Sequence, residues 1–510
     1  MSRPRWLVTV CGAIAASALA RAQPPAAAAF DVTEKSVAEL SAAMANGTVT
    51  SRALVESYRA RIDAYDQNFP ALNAMIALSP RALDEAAALD RERASGRIRG
   101  PLHGIPIVVK DNYDTADMPT TAGSIALKGS MPARDAFQVR KLRGAGAVIV
   151  GKTNLHEFAR GITTVSSLGG QTRNPYDPSR NPGGSSGGTG AAVAANFASF
   201  GMGTDTCGSI RYPSAHNSLV GLRPTMGLSS RSGIVPLALS QDVGGPLART
   251  VMDVAIALDA TVGVDPDDPA TARGAGHAPP GYAAALPQGR LREARIGALL
   301  PLFGAAPEDL RAGSVARTAV AELESAGARV VQVATDPLPA EADVSVIRYE
   351  FKFNLDAYLR ATPRAPVRSL AEILDKGVYL KALEQAFRGS NAIATLESDE
   401  YRAALGRQAD LRKRLLALLD DNQVDVLAYP TVRRTAAKIG EPQQGGNCAA
   451  SAASGLPAIT VPAGFADDGM PVGIEFLGRS FSELELLKIA FAFEQATHHR
   501  HPPSLTPKLP

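Results

Sequence analysis

The chain has 510 residues, of which 45% are apolar and 20% are charged. This composition is ordinary for a globular protein and excludes a disordered chain, and the length allows a large core or two domains. The formal net charge of +3 is small, and no block of lysine and arginine with interleaved aromatic residues occurs, so a nucleic-acid partner has little support. Small-molecule chemistry is the better starting hypothesis.

The first residues have the pattern of an export signal. Arg3 and Arg5 precede an apolar run, and the sequence "ARA" before Gln23 offers small residues for cleavage. We therefore expect a signal peptide over residues 1–22, which would place the mature protein in the periplasm or outside the cell. The apolar run is short for a membrane span, and no later stretch reaches the length that a spanning helix needs.

The predicted elements of the first half alternate in type. The N-terminal part is predicted to be helical, with a Ser-x-x-Glu capping box at Ser36. Residues 104–112 contain a short β-branched strand candidate, and residues 137–153 predict a helix, a glycine turn and a strand. Strands that alternate with helices predict an α/β fold, which we expect to be one large domain with a mixed sheet covered by helices.

The second half continues this alternation after a break. Residues 266–289 are rich in proline, glycine and alanine and predict a surface connection or insertion. Strand candidates follow, residues 348–419 are predicted to be mostly helical, and an amphipathic helix begins near Glu483. The tail at residues 498–510 carries three histidines. We expect it to be loose and solvated, with a metal site on those histidines as the alternative.

The centre of the chain, from Asn181 to Ala215, consists almost entirely of small residues. Small residues let the backbone approach a reacting group and let successive N–H groups converge on an oxyanion. A flexible linker is an alternative, but this stretch runs directly into an Ala-rich helical segment at residues 190–198. A phosphate loop would need a Lys-Ser/Thr ending, and the nucleophile elbow of α/β-hydrolases would need a preceding buried strand. Both are missing from the sequence.

Three short motifs resemble the amidase signature family of serine amidohydrolases. The motifs "VVKDN", "GGSSGG" and "CGSIR" place Lys110, Ser185 and Ser209 in the family's order, with separations of 75 and 24 residues. The resemblance covers about residues 23–497, with the signature core at about 100–250, and looks most like the peptide-amidase subset. It implies the family's fold, a large mixed twisted sheet between helices.

The resemblance implies a catalytic role for each of these residues. Ser209 would be the nucleophile, Lys110 the general base and Ser185 the proton relay, with a cis peptide bond before Ser185. A serine hydroxyl needs an adjacent base at neutral pH, and lysine is a base only when neutral, which burial favours. Other residues are expected to support the site, as backbone N–H donors to the oxyanion at Thr206, Cys207 and Gly208, and as structural partners at Asp205, Arg211, Ser186 and Asn112. For Asp205 and Arg211 an ordinary surface ion pair is the alternative.

Two cysteines remain after the predicted cleavage, because Cys11 belongs to the discarded segment. Cys207 stands two positions before Ser209, where the family usually has glycine, and could be a rival nucleophile. We expect Ser209 to be the nucleophile because the family's proton relay reaches that position. A disulfide between Cys207 and Cys448 is allowed in an oxidising compartment, but buried free cysteines are commoner, so the pairing stays open.

The resemblance therefore implies an amidohydrolase that cleaves a carboxylic amide through an acyl-serine intermediate. No cofactor or metal is implied, and the expected partners are a small-molecule amide and water, with the protein a monomer or homodimer. An esterase or aryl-acylamidase with the same triad is the alternative among enzymes, and a non-catalytic periplasmic solute-binding protein is the alternative from another class. Residues 348–419 are expected to line part of the substrate pocket, and their sequence does not identify the amide.

Overall fold

A computed structural model describes residues 30–510 together with residues 1, 2, 4 and 7. Most of the predicted signal peptide, including its cleavage site, lies outside the described residues. None of the helices within the described residues combines the length and the apolar character needed to cross a membrane.

The described residues contain thirteen strands, eleven of which form one sheet. The strands are β1 Met75–Leu78, β2 Pro106–Lys110, β3 Val148–Thr153, β4 Val165–Ser166, β5 Gly170–Gln171, β6 Phe200–Asp205, β7 Val220–Arg223, β8 Val243–Ala248, β9 Arg295–Leu299, β10 Arg329–Val333, β11 Val426–Pro430, β12 Ala458–Phe465 and β13 Pro471–Leu477. Their order in the large sheet is β1-β3-β2-β6-β8-β7-β12-β13-β11-β9-β10. Because β2 pairs with β3 and β6 in parallel while β6 pairs with β8 antiparallel, the predicted mixed sheet is confirmed.

Sixteen α-helices flank this sheet in the described part of the chain. They are α1 Val37–Ala45, α2 Ser51–Tyr65, α3 Ala82–Ala94, α4 Phe137–Gly144, α5 Gly187–Ala194, α6 Arg211–His216, α7 Val251–Thr261, α8 Tyr282–Ala285, α9 Leu310–Ser325, α10 Glu341–Val344, α11 Ile347–Ala361, α12 Leu370–Lys376, α13 Glu384–Asn391, α14 Asp399–Asp421, α15 Ala449–Ala452 and α16 Glu483–Thr497. The predicted capping box at Ser36 is present at the start of α1.

Strand β2 shows why helices cover both faces of the sheet. Ile107 and Val109 belong to one buried apolar cluster, and Val108 belongs to another. Successive side chains of a strand point to opposite faces, so a continuous apolar strand requires a core on each side. The first cluster includes side chains from α4, α7 and α16, and the second includes the alanines of α5.

The small residues of the centre let α5 approach the sheet closely. Every residue of α5 is buried. A Cβ atom at Gly188 would overlap the carbonyl oxygen of Asn154, and one at Gly201 of β6 would overlap the side chain of Thr189. The Gly/Ser-rich sequence is therefore part of the packed core, which excludes a flexible linker.

The C-terminal tail is packed against the protein, which corrects the prediction that it is loose. The buried guanidinium of Arg61 donates to the carbonyl oxygens of Thr506 and Pro507, and Arg500 forms an ion pair with Glu34 at 2.8 Å. The proline and polar residues of the tail suggested that it is solvated. Its contacts with Arg61 and Glu34 join segments that are distant along the chain, so no local sequence pattern indicates them. Within the described residues, the three tail histidines do not form a cluster of metal ligands.

Candidate active site

Lys110, Ser185 and Ser209 meet at one edge of the sheet. Lys110 is the last residue of β2, and Ser209 follows β6, the parallel neighbour of β2, so both lie where these two strands end. Ser185 lies just before α5, after a cis peptide bond from Gly184, as the resemblance implies. Nζ of Lys110 donates to Oγ of Ser185 over 2.7 Å, and the N–H of Ser186 donates to the carbonyl oxygen of Ser209 over 3.2 Å.

The side chain of Lys110 is fully buried, and its hydrogen bonds in the described structure go to uncharged oxygens. Nζ donates to Oγ of Ser185 and to Oγ1 of Thr204, each over 2.7 Å, and to the Thr204 carbonyl over 3.5 Å. Burial lowers the pKa of Lys110 to about 7, and the carboxylates of Asp205 and Asp242 only partly oppose this shift. A substantial fraction of this amine is therefore neutral near pH 7 and can accept a proton.

A second buried lysine, on the neighbouring strand β3, has a different environment. Nζ of Lys152 forms an ion pair with Asp111 at 3.0 Å and donates to the Pro119 carbonyl at 3.0 Å and to Thr120 at 3.1 Å. An adjacent carboxylate stabilises the charged form of an amine. Lys152 therefore has a carboxylate partner at 3.0 Å, whereas, within the described residues, the hydrogen bonds of Lys110 go only to uncharged oxygens.

Ser209 is only 3% exposed, and its Oγ has no hydrogen-bond partner among the described residues. Ser185 is fully buried beside it, with Oγ held by Lys110. Hydrogen bonds between catalytic groups are often long in unliganded enzymes and shorten when substrate binds. The arrangement thus leaves the Oγ of Ser209 free to turn toward Ser185 or toward a bound carbonyl group.

The backbone around Ser209 offers fewer donors to an oxyanion than the sequence predicts. The N–H of Gly208 donates to Oδ1 of Asp205 over 2.8 Å, and the N–H of Ile210 donates to Oδ2 over 3.2 Å. Gly208 is therefore engaged, contrary to the prediction, because the Asp205 side chain folds back over the loop. The N–H groups of Thr206 and Cys207 have no acceptor among the described residues and stay available.

Asp205 and Arg211 form a fully buried charge network instead of a surface ion pair. Nε of Arg211 lies 3.0 Å from Asp205, its Nη1 lies 2.5 Å from Glu475 on β13, and Arg223 lies 3.2 Å from Asp205. Although burial opposes ionisation, the two guanidinium groups hold the pKa of Asp205 well below its usual value. The network fixes the loop that carries Ser209, and Glu475 and Arg223 are members that the sequence did not reveal.

Asn112 and Ser186 both support Thr204, the residue that accepts from Lys110. Nδ2 of Asn112 donates to Oγ1 of Thr204 over 3.0 Å, and Oγ of Ser186 donates to the Thr204 carbonyl over 3.2 Å. The motifs placed Asn112 and Ser186 near the site but gave no sign of Thr204. No local pattern distinguishes this threonine from others in a strand.

Asp242 and Gln241 hold the other side of the nucleophile loop. Oγ1 of Thr206 donates to Asp242 over 2.5 Å, the N–H of Leu237 donates to the same carboxylate over 2.8 Å, and Gln241 donates to the Thr206 carbonyl over 3.1 Å. Burial raises the pKa of Asp242 to about 6, against the effect of these donors. The segment "SQDVGGPLART" contributed to the resemblance, but the sequence did not assign these roles.

Cys207 and Cys448 form a disulfide, with Cα atoms 5.1 Å apart. The sequence leaves this pairing open and favours free cysteines. The two residues are 241 positions apart, so only the tertiary fold brings them together. The disulfide joins the nucleophile loop to the segment before α15, and it leaves no free thiol at Cys207 to compete with Ser209.

Comparison with known proteins gives consistent matches over the chain. The family model described as Amidase matches residues 53–487. A probable amidase of Arabidopsis thaliana is 36% identical over 490 residues, covering 93% of this chain and 92% of that protein. A glutamyl-tRNA(Gln) amidotransferase subunit of Moorella thermoacetica is 36% identical over 491 residues, covering 92% and 96%. The X-ray structure of native peptide amidase from Stenotrophomonas maltophilia aligns with a TM-score of 0.85 at 44% identity, covering 93% and 99%.

Proposed function

This chain belongs to the amidase family, and we propose that it hydrolyses a small carboxylic amide through an acyl-serine intermediate. The observation that carries the proposal is the 2.7 Å hydrogen bond from the buried Nζ of Lys110 to Oγ of Ser185, beside the loop of Ser209. A buried lysine that lacks a carboxylate partner is costly to keep charged, so its lowered pKa suits a base that works near neutral pH.

Acylation begins when Oγ of Ser209 attacks the carbonyl carbon of the amide. Its proton passes to Oγ of Ser185, whose own proton passes to the neutral Nζ of Lys110. The carbonyl oxygen becomes an oxyanion, and the N–H groups of Thr206 and Cys207, which have no acceptor among the described residues, would bind it. The protonated Lys110 then returns a proton through Ser185 to the leaving nitrogen, and the C–N bond breaks.

Deacylation repeats these steps with water as the nucleophile. Water gives a proton to the same relay and attacks the acyl-serine, and the C–O bond to Ser209 breaks as its oxygen regains a proton. The net reaction consumes one amide and one water and yields one carboxylic acid and one amine or ammonia. Lys110 and Ser185 end the cycle in their starting protonation states, so no cofactor is needed for proton balance.

We propose that the substrate is an amide at the end of an amino acid or short peptide, and the similarity to one solved relative supports this proposal. A solved protein named peptide amidase is 44% identical to this chain in an alignment that covers 93% of it. A glutamyl-tRNA(Gln) amidotransferase subunit is also similar, so the family includes proteins of more than one reaction. Esters stay an alternative, since an acyl-serine can form from either leaving group.

Matched amide and ester substrates test the proposal. We expect the protein to release ammonia from N-acetyl amino acid amides and to be labelled at Ser209 by a fluorophosphonate. Ser209→Ala should lose both hydrolysis and labelling, whereas Ser214→Ala, which changes a buried serine of α6, should keep both. If the protein hydrolyses the esters but not the amides, the result would refute the proposed amidase activity and indicate an esterase. Labelling that survives in Ser209→Ala would refute the assignment of the nucleophile.

A further inference from the structure

A cavity of about 450 Å³ lies beside the disulfide, and one carboxylate, that of Glu341, faces it. Oε2 of Glu341 lies 3.5 Å from Sγ of Cys448, and the carboxylate lies within 4.8 Å of Sγ of Cys207. Much of the remaining lining is apolar, with Pro301, Leu302, Leu338 and Leu411 among its residues. Glu341 therefore presents a negative charge close to the loop that carries Ser209.

The carboxylate of Glu341 has no hydrogen-bond donor and no cation beside it in the described part of the chain. Both sulfur atoms are used in the disulfide, so Cys448 has no S–H group to donate. The other charged residue of the lining, Arg433, lies 3.9 Å from Asp309, which supplies its counter-charge. The Glu341 side chain is exposed to solvent, so its carboxylate is accessible to a ligand, and partial desolvation by the surrounding protein raises its pKa. A cation within the cavity would pair with this carboxylate.

We propose that Glu341 selects substrates that carry a positive charge on the acyl side of the scissile amide. This inference rests on the proposed function. The N–H of Cys207 is a predicted oxyanion donor, so covalent geometry places the Glu341 carboxylate within about 12 Å of the substrate carbonyl oxygen. A lysine side chain carries its ammonium group roughly 6–7 Å beyond its Cα. A lysine-like acyl group therefore has the length to reach Glu341 while its carbonyl stands at Ser209.

The apolar lining of the cavity favours the same class of substrate. The methylene groups of a lysine or ornithine side chain favour contact with apolar residues, while the terminal ammonium group seeks a carboxylate. The cavity volume is ample for one such side chain. A neutral substrate of the same length would gain the apolar contacts but no ion pair with Glu341, so the carboxylate discriminates between the two.

The test compares N-acetyl-lysinamide with N-acetyl-norleucinamide, which has a similar length and no charge. We expect the wild-type protein to favour the lysine substrate in kcat/KM by about 3- to 5-fold, mainly through KM. Glu341→Gln should remove that preference and change kcat/KM for the norleucine substrate by less than about 2-fold. Asp343→Asn is the matched control, because it removes the same charge from the same helix at a residue that does not line the cavity. It should keep the preference.

Each outcome has a distinct meaning. Equal kcat/KM of the wild type on both substrates, or an equal loss of preference in Asp343→Asn, would overturn the role of Glu341 while leaving amide hydrolysis intact. A Glu341→Gln variant that keeps the full preference would overturn it as well. Failure of the wild type to hydrolyse either amide would refute the proposed function itself, and this inference with it.

Discussion

Replacing Lys110 with methionine tests the proposed base directly, since methionine keeps much of the side-chain length but has no titratable nitrogen. At a pKa of about 7, half of Lys110 is neutral at pH 7, whereas an ordinary lysine pKa of 10.5 would leave about 0.03% neutral. Burial therefore raises the neutral fraction of Lys110 roughly 10³-fold at pH 7. A general base contributes about 10²–10⁴-fold, so we expect kcat to fall by about 10³-fold in Lys110→Met.

The wild-type pH profile supplies the second measurement. As pH rises from 6 to 8, the neutral fraction of Lys110 rises from about 9% to about 91%, so kcat/KM for an uncharged amide should increase about 10-fold and then level off. Burial raises the pKa of Glu494 on α16 to about 7 and that of Asp242 to about 6. The control Glu494→Gln should therefore keep the rising limb in place. Asp242→Asn should keep a rising limb but move it to lower pH, because the Asp242 carboxylate raises the pKa of Lys110.

Lys110→Met should lower activity but raise the stability of the folded protein. The unfolded chain binds a proton at Lys110 up to about pH 10.5, and the folded chain only up to about pH 7, so the wild type gains stability as pH rises between these values. Lys110→Met removes the free-energy cost of burying an ionisable amine, which is greatest at low pH. The apparent Tm of the variant should therefore exceed that of the wild type by more at pH 6.5 than at pH 9.5. A flat activity profile between pH 6 and 8, or a rising limb that persists in Lys110→Met, would refute the reasoning.

The disulfide, the buried charge network and the N-terminus each give a further prediction. A thiol reductant should lower the apparent Tm of the wild type by several degrees but leave a Cys207→Ser/Cys448→Ser double variant unaffected; a wild type insensitive to full reduction would contradict a stabilising role. Asp205→Asn, which leaves two buried guanidinium groups with Glu475 as their one remaining carboxylate in this network, should cost about 3–5 kcal/mol, whereas Asp267→Asn in an exposed ion pair should cost under about 1 kcal/mol in denaturant titrations. Mass spectrometry of exported protein should find an N-terminus near Gln23, and an intact initiator methionine would contradict the signal peptide.

Much of the fold could be predicted because local patterns determine it. Strand β2 lies where an apolar run indicated it, since a strand buried on both faces has a continuous apolar sequence. Helix α5, Gly187–Ala194, overlaps the predicted helical segment at residues 190–198 but begins three residues earlier and ends four residues earlier. The tail at residues 498–510 could not be predicted in this way. One of its contacts is with Arg61, which lies 445 positions before Thr506 along the chain, and no local pattern encodes such a contact.

Local motifs likewise predicted one part of the candidate site and not the other. The motifs placed Lys110 beside Ser185, and the structure brings them within hydrogen-bond distance. The Cys207 disulfide and the Glu475 ion pair join segments more than 200 positions apart, which short motifs cannot show. The engagement of the Gly208 N–H depends on how one side chain folds back over a loop, and residue spacing holds no information on that geometry.

The ion pair between Arg211 and Glu475 spans 264 positions, and this separation has a consequence for the order of folding. Ribosomes release the N-terminal part first, so Lys110, Ser185 and Ser209 all emerge well before strand β13 exists. Contacts between such distant segments form slowly and late. A nascent or truncated chain therefore carries the three proposed catalytic side chains without the ion pair that ties the segment after Ser209 to strand β13. We therefore expect hydrolysis only after the C-terminal strands dock, in which case activity would report a completed and folded polypeptide.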